Sequence, residues 1–454
     1  MIYMTLGEGA RQGLTLYKDI HDNKPPLLYI TAMVAGSLFW FKVILAFASI
    51  VTIFLFYKLT IKILDKNKKG QVISTTIFAL LTTLPLLEGL TVNSELFMIV
   101  FTIGALLILL RDGLKGKNIY LAGVLLGIGA LFKIPAAFDA PIIVIYWIIT
   151  LGFKSWREII KNTLILGLGF ASPIIITFIW YFIRGALPEY IKAAFLENVG
   201  YISSYRPGDV QKSFLVRNTP LLIRAGIVFI GSTILFIFRK RLSKKFILLS
   251  LWTLFSLFAI TLSERPYPHY LIQIVPPLSI LVTILLTEKS FEQPLVVLPL
   301  TLTFFVPFYY KFWLYPTIPY YTRFVRFVVG MDSKPVYLNG FSSTTDRNYQ
   351  IADFLTKSSM PDDRVFMWDP DSAAVYSLSK RMPPIRYTVP YHVFDYSTRE
   401  IEAKNIESNP PKFIILNNSY PYPELSSLVK NRYLLINQIG NTYIYSRIDF
   451  ALKK

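Results

Sequence analysis

In "YKDIHDNKPPLLYI", residues 17–30, Asp19, His21 and Asp22 stand just ahead of Lys24, and Pro25 and Pro26 separate that lysine from an apolar segment. Carboxylates can take a proton from a hydroxyl. A lysine followed by two prolines is a cation on a stiffened backbone. Three further places put ionisable groups at the end of an apolar run. Glu95 opens "SELFMIV", Lys133 interrupts "LFKIPAAFD", and Arg265, His269 and Tyr270 lie in "RPYPHYLIQIVPP". Each has a plainer reading. Asn93-Ser94-Glu95 has the composition of a helix cap. Lys133 reads as a snorkelling lysine, and His269-Tyr270 as part of an interfacial aromatic belt. Lys24 reads as an anchor, and Asp19, His21 and Asp22 as loop residues. Taken together, cations at headgroup depth suit a lipid phosphate, and carboxylates suit activation of a hydroxyl. That pairing describes glycosyl transfer out of a lipid-phosphate sugar.

The elements that must hold these groups are membrane helices. The chain has 454 residues, 53% of them hydrophobic and only 17% charged. Ten apolar runs approach the length that crosses a hydrocarbon core of about 30 Å: 41–61, 72–90, 95–110, 119–132, 136–153, 163–183, 220–238, 246–262, 269–287 and 294–313. The stretch 119–153 is divided at Lys133-Ile-Pro135, because one helix of that length would overshoot the bilayer. The net charge of +19 gathers in alternate short loops. These hold Lys62, Lys66, Lys68 and Lys69; Arg111, Lys115 and Lys117; Lys154, Arg157 and Lys161; and Arg239, Lys240, Arg241, Lys244 and Lys245. Short basic loops stay in the cytoplasm. The charge therefore reads as a topology signal and not as a nucleic-acid footprint.

With those loops inside, the outer side receives Asn93–Glu95, Lys133, the 184–219 loop, the Ser263–Pro268 turn and everything after about residue 314. The KPP segment joins them if the apolar run 26–39 lies along the membrane surface, being short for a crossing. A chain placed this way expects an earlier crossing segment upstream of Met1. With no cysteine, disulfide and thiolate chemistry are excluded. No HExxH, Walker A or GxSxG pattern occurs, so the usual zinc-protease, ATPase and hydrolase signatures are missing.

Several of these segments, in order, resemble the family-39-type, C-fold glycosyltransferases, the bacterial relatives of protein O-mannosyltransferases and of the lipid A aminoarabinose transferase. "GLTLYKDIHDNKPPLLYI" is similar to their first outer loop through Gly13, Tyr17, Asp19, Lys24, Pro25, Pro26 and Leu27. "NSELFM" resembles the second-loop acid, "LFKIPAAFD" the loop lysine, and "RPYPHYLIQIVPPLSIL" the late Arg/His-Tyr segment. The likeness covers about residues 1–315. It implies a Lys24 that holds the donor phosphate with Lys133 and Arg265, and a donor cavity lined by His269 and Tyr270. Asp19, Asp22 and Glu95 would bind sugar hydroxyls, a divalent ion or the acceptor. Tyr201, Tyr205 and Arg206 of the 184–219 loop would stack on a sugar. The resemblance also implies an acidic pair, carrying the main base, upstream of Met1; Glu8 is one of the nearest acids in the sequence as written.

After residue 314 the pattern changes. "FMWDPD", "KFIILNN" and "RYLLINQIGNTYIYSRI" predict short strands, and "RNYQIADFLTKSS" a helix. The expected organisation is a transmembrane domain over 1–315 with an outer-face loop at 1–40, a connector at 316–332 and a small extracytoplasmic α/β domain over 333–454. The expected function is a plasma-membrane transferase moving a sugar from a polyprenyl-phosphate donor to an extracytoplasmic protein, lipid or glycan. A lipid-sugar transporter and an inactive binding homologue are the alternatives.

Overall fold

The computed structural model describes residues 1–111, 114–198, 213–263 and 265–451. The chain divides into two compact units. One comprises Met1–Trp40, Ala186–Ala193 and Ile318–Lys454; the other comprises Phe41–Gly185 and Ala194–Thr317.

In the first unit, helix α1 (Ile2–Arg11) packs on α2 (Leu27–Ala35). At nine residues α2 is about 14 Å long, far short of a bilayer crossing. The link between them turns at Gly13, whose φ of +88° favours a residue without Cβ. The rest of this unit is built on a four-stranded sheet of order β1-β2-β4-β3, with β1 Val365–Trp368, β2 Phe413–Asn417, β3 Tyr433–Ile439 and β4 Thr442–Arg447. β1 and β2 are parallel and the other pairs antiparallel. The near-continuous apolar sequences of β1 and β2 follow from burial on both faces. Phe366, Trp368 and Ile414 pack with Ala403 and Ile406 of the Arg399–Ser408 helix. Val365, Met367 and Ile415 pack with Ile351 and Leu355 of the Thr345–Ser358 helix. The predicted strands and helix are present.

The second unit is a helical bundle. It runs through α3 (Leu38–Leu64), α4 (Lys68–Thr83), α5 (Ser94–Leu109), α6 (Gly116–Phe132), α7 (Asp139–Leu151) and α8 (Trp156–Ile183), then helices Phe214–Ile237, Lys244–Thr261, Val275–Thr287 and Val297–Tyr309. Among the described residues, seven segments are helical, long and apolar enough to cross a membrane, and α5 and α6 are shorter apolar helices. The chain is a multi-pass membrane protein. Helix Lys244–Thr261 is buried nearly throughout, whereas α3, α8 and the Phe214–Ile237 helix bury only a minority of their residues, as surfaces facing acyl chains do.

Two local features shape this bundle. Run 72–90 stops being α-helical at Thr83, ahead of Pro85, and passes through a 3-10 turn to Glu88 in the left-handed region at φ +57°. α6 and α8 approach at glycines. A Cβ added at Gly123, Gly127 or Gly169 would lie 2.2, 2.3 and 2.1 Å from a backbone carbonyl oxygen of the facing helix. Small residues let membrane helices close to backbone contact, where dispersion and weak polar contacts hold them.

Candidate functional site

In the helical unit, Glu95 enters α5 with its carboxylate buried. Asn93 makes no side-chain cap to that helix; its amide donates to Glu88 Oε2 at 3.2 Å. The Glu95 carboxylate is occupied by a cation instead. Lys133 Nζ, from the break between α6 and α7, donates to Glu95 Oε1. The same ammonium lies 3.5 Å from the centroid of the Tyr270 ring, a cation–π contact. The 3-10 segment Pro268–Ile274 brings His269 to the group, with Nε2 3.8 Å from Glu95 Oε1 and Nδ1 against Glu88 Oε2. Tyr267 stacks on the His269 ring, and Tyr270 meets it edge-on. Glu88, Glu95, Lys133, His269 and Tyr270 thus form one linked constellation, drawn from three helix ends and a turn.

A second polar pair lies deeper in this unit. Asp139, buried at the start of α7, accepts from Thr102 Oγ1 at 2.7 Å and from Gln273 Nε2 at 3.3 Å. Gln273 also donates to the Pro135 carbonyl. Arg224 is buried as well; its Nη1 donates to the Thr261 carbonyl at 2.7 Å and its Nε to the Tyr310 hydroxyl at 3.1 Å.

In the other unit, Lys24 sits on a rigid frame. The Tyr17 hydroxyl donates to the Lys24 carbonyl at 2.7 Å, and the Lys24 amide donates to the Tyr29 hydroxyl at 3.2 Å. Tyr17 is wholly buried at φ +74°, an uncommon conformation for a bulky residue that tight surroundings must impose. Its ring packs against Tyr29 and against Tyr190 from the Leu187–Ile191 helix. Lys24 Nζ lies 5.2 Å from the Tyr3 ring centroid. Asp22 is buried beside it, accepting from the Asn23 amide at 2.8 Å, with His392 Nε2 3.5 Å away. Burial pushes the Asp22 carboxyl up. Lys24, His392, the Asn23 amide and the Tyr29 hydroxyl outweigh it and hold the carboxyl below its ordinary value. The Tyr29 hydroxyl is driven up, first by burial and then by Asp22. His21 packs edge-on against His392, Tyr387 and Tyr396.

No family model matches the chain, and no curated protein matches its sequence. Among solved structures, ArnT from Cupriavidus metallidurans bound to undecaprenyl phosphate aligns with a TM-score of 0.58 over 98% of this chain and 92% of that one, at 10% identity. The apo form of the same protein aligns at 0.53 and 11% identity, with the same coverage. The chain has the ArnT fold. That is the C-type glycosyltransferase fold implied by the sequence resemblance. An oligosaccharyltransferase from Archaeoglobus fulgidus aligns more loosely, at a TM-score of 0.44 and 12% identity, over 98% of this chain and 69% of that one.

Within this ArnT-like chain, the predicted residues divide into three groups. Glu95, Lys133, His269 and Tyr270 are brought together, and Asp22 and Lys24 are neighbours. Asp19 is exposed, caps its own turn through the Thr15 amide at 2.8 Å, and lines an open polar cleft of about 490 Å³ with Arg364, Arg386 and Glu402. Arg265 is exposed in the turn before His269. Tyr201, Tyr205 and Arg206 lie outside the described residues. Glu88, Asp139, Arg224 and His392 join the polar clusters without having been singled out in the sequence. Among the described residues, no three His, Asp or Glu side chains are placed to hold a metal ion.

Proposed function

We propose that this protein is a membrane glycosyltransferase that moves a sugar from a polyprenyl-phosphate donor to a hydroxyl acceptor on the extracytoplasmic side. The observation that carries this reading is the Glu88–His269–Glu95–Lys133–Tyr270 constellation, gathered around the buried Glu95 carboxylate at helix ends of an ArnT-like membrane fold. The ArnT structure it resembles holds undecaprenyl phosphate. Negative charge grows on the phosphate as the glycosyl bond breaks, so fixed cations beside it lower the barrier. Lys24 is the cation assigned to that phosphate, because its backbone is held from both sides by Tyr17 and Tyr29. His269 and Tyr270 are assigned to the lining of the donor cavity, and Asp19, Asp22 or Glu95 to sugar hydroxyls, a divalent ion or the acceptor. The 333–454 domain is assigned to the outer side, with acceptor choice residing there and in the outer loops.

Consumption of a polyprenyl-phosphate sugar in proteoliposomes tests this reading. Lys24→Ala should abolish donor consumption while the protein still inserts and purifies normally. Retained activity would remove Lys24 from the phosphate site. The second reading, a transporter of lipid-linked sugars, draws on Asp139 and Arg224, which are buried within candidate spans. In the same vesicles a transporter would move labelled donor between leaflets with no loss of its sugar.

A further inference from the structure

The segment expected to be a plain connector contains a helix, Thr317–Val328, with no buried residue and a marked division of faces. At 3.6 residues per turn, Phe324, Val328, Tyr321, Val325 and Ile318 fall within an arc of about 120°. All five are exposed, Ile318 at 78% and Val328 at 63%. The opposite face is already occupied. Tyr320 and Arg323 lie against Phe341, and Phe327 stacks on Tyr337 with centroids 4.4 Å apart. So the helix is pinned along one side and presents its apolar stripe outward.

Three observations identify what covers that stripe. Seven residues separate the helix from the candidate span Glu292–Tyr309, so the chain has just left the membrane. The intervening residues include Trp313 and Tyr315, side chains that favour the interface. Lys311 and Lys334 flank the helix, Arg323 and Arg326 lie within it, and the single acid of this stretch, Asp332, pairs with Arg326, which leaves a positive balance suited to anionic headgroups. At twelve residues the helix is about 18 Å long and cannot cross. We propose that Thr317–Val328 is an interfacial helix, seated in the headgroup layer of an anionic bilayer with its apolar stripe among the acyl chains. The soluble domain that follows is thereby held at the membrane surface by a second attachment, separate from the spans.

The absence of cysteine makes the test direct. Single variants Ile318→Cys, Val325→Cys and Val328→Cys on the stripe, and Thr322→Cys and Arg326→Cys off it, are nitroxide-labelled in the full chain. The chain is reconstituted in vesicles of phosphatidylcholine and phosphatidylglycerol. Collision with oxygen should exceed collision with a water-soluble nickel chelate several-fold at the three stripe positions, and the ratio should reverse at the other two. Shallower stripe labels in phosphatidylcholine alone would support the role of anionic lipid. Equal access to the nickel chelate at all five positions would overturn the proposal. So would dipolar broadening between labels at Val325, which would mean that a second copy covers the stripe.

Discussion

Lys133 is held by two unlike partners, a buried carboxylate and an aromatic face, and the two losses differ. Glu95→Gln takes the carboxylate away from the ammonium, while Lys133→Met leaves a buried carboxylate beside His269. Breaking a buried pair from one side costs about 3–5 kcal/mol, more than the pair contributes against an apolar replacement. Each single variant should therefore melt well below the parent in detergent, and the double variant should lose much less than the sum. Additive losses would mean that the two side chains are not coupled. Asp22 gives a second residue-scale expectation. Its folded carboxyl is held below the ordinary value, so as pH falls the unfolded chain takes up its proton first. The stabilisation is complete above the ordinary carboxylate range and is lost as pH falls through the depressed folded value. Asp22→Asn should lower the melting temperature at neutral pH and flatten the acid side of the melting profile; an unchanged profile would remove Asp22 as its source. Glu95, Lys133, His269 and Tyr270 were legible in the sequence because a polar group at the end of an apolar run stands out. Glu88 was not: it is joined to His269 across 181 positions, and nothing local announces its left-handed backbone. Asp139 was hidden differently, since an acid in the first turn of a helix is ordinary in any sequence.

At the scale of elements, the membrane helices were readable from run length alone, and their ends were less so. Run 72–90 was expected to continue past Pro85, but the α-helix ends at Thr83. The connector was read by its Tyr and Pro content, and its helical stripe went unseen because the polar and apolar residues interleave over only twelve positions. The glycines of α6 and α8 had no signature in a window of apolar residues, although they decide how closely the helices pack. Gly167 and Gly169 on α8 separate the two roles a glycine can have. A Cβ at Gly167 meets nothing within 4 Å, while one at Gly169 would lie 2.1 Å from the Tyr120 carbonyl oxygen. Gly167→Ala should be neutral or stabilising by up to about 1 kcal/mol, as expected of alanine in an open helix position. Gly169→Ala and Gly123→Ala should force the backbones apart, at about 1–3 kcal/mol each. Thermal unfolding of the three variants in one detergent decides it; equal melting temperatures would mean that α6 and α8 do not touch at these residues.

For the whole molecule, the decisive quantity is which side each loop occupies, since the proposed chemistry needs Lys24, Glu95 and the 333–454 domain on the side away from the basic loops. Lysine and arginine in short loops resist translocation, and here they gather in four alternate connections, at 62–69, 111–117, 154–161 and 239–245. The two alternatives to that orientation predict different labelling. Without native cysteine, one introduced thiol reports one position. Lys66→Cys, Lys154→Cys and Lys240→Cys place thiols at exposed sites in three basic loops, and Ser343→Cys places one at an exposed site in the C-terminal unit. A membrane-impermeant maleimide added to intact spheroplasts should modify only the Ser343 variant, and the other three only after lysis. If the three loop positions react in intact cells and the Ser343 variant does not, the orientation is inverted and the extracytoplasmic site is lost with it. If loop positions divide between the two sides, the number of crossings is wrong by an odd count. The surface placement of residues 26–39 lies ahead of all four positions and needs its own label: Lys18→Cys, at an exposed site, should react in intact spheroplasts, and protection there would mean a crossing that carries Lys24 to the opposite face from Glu95.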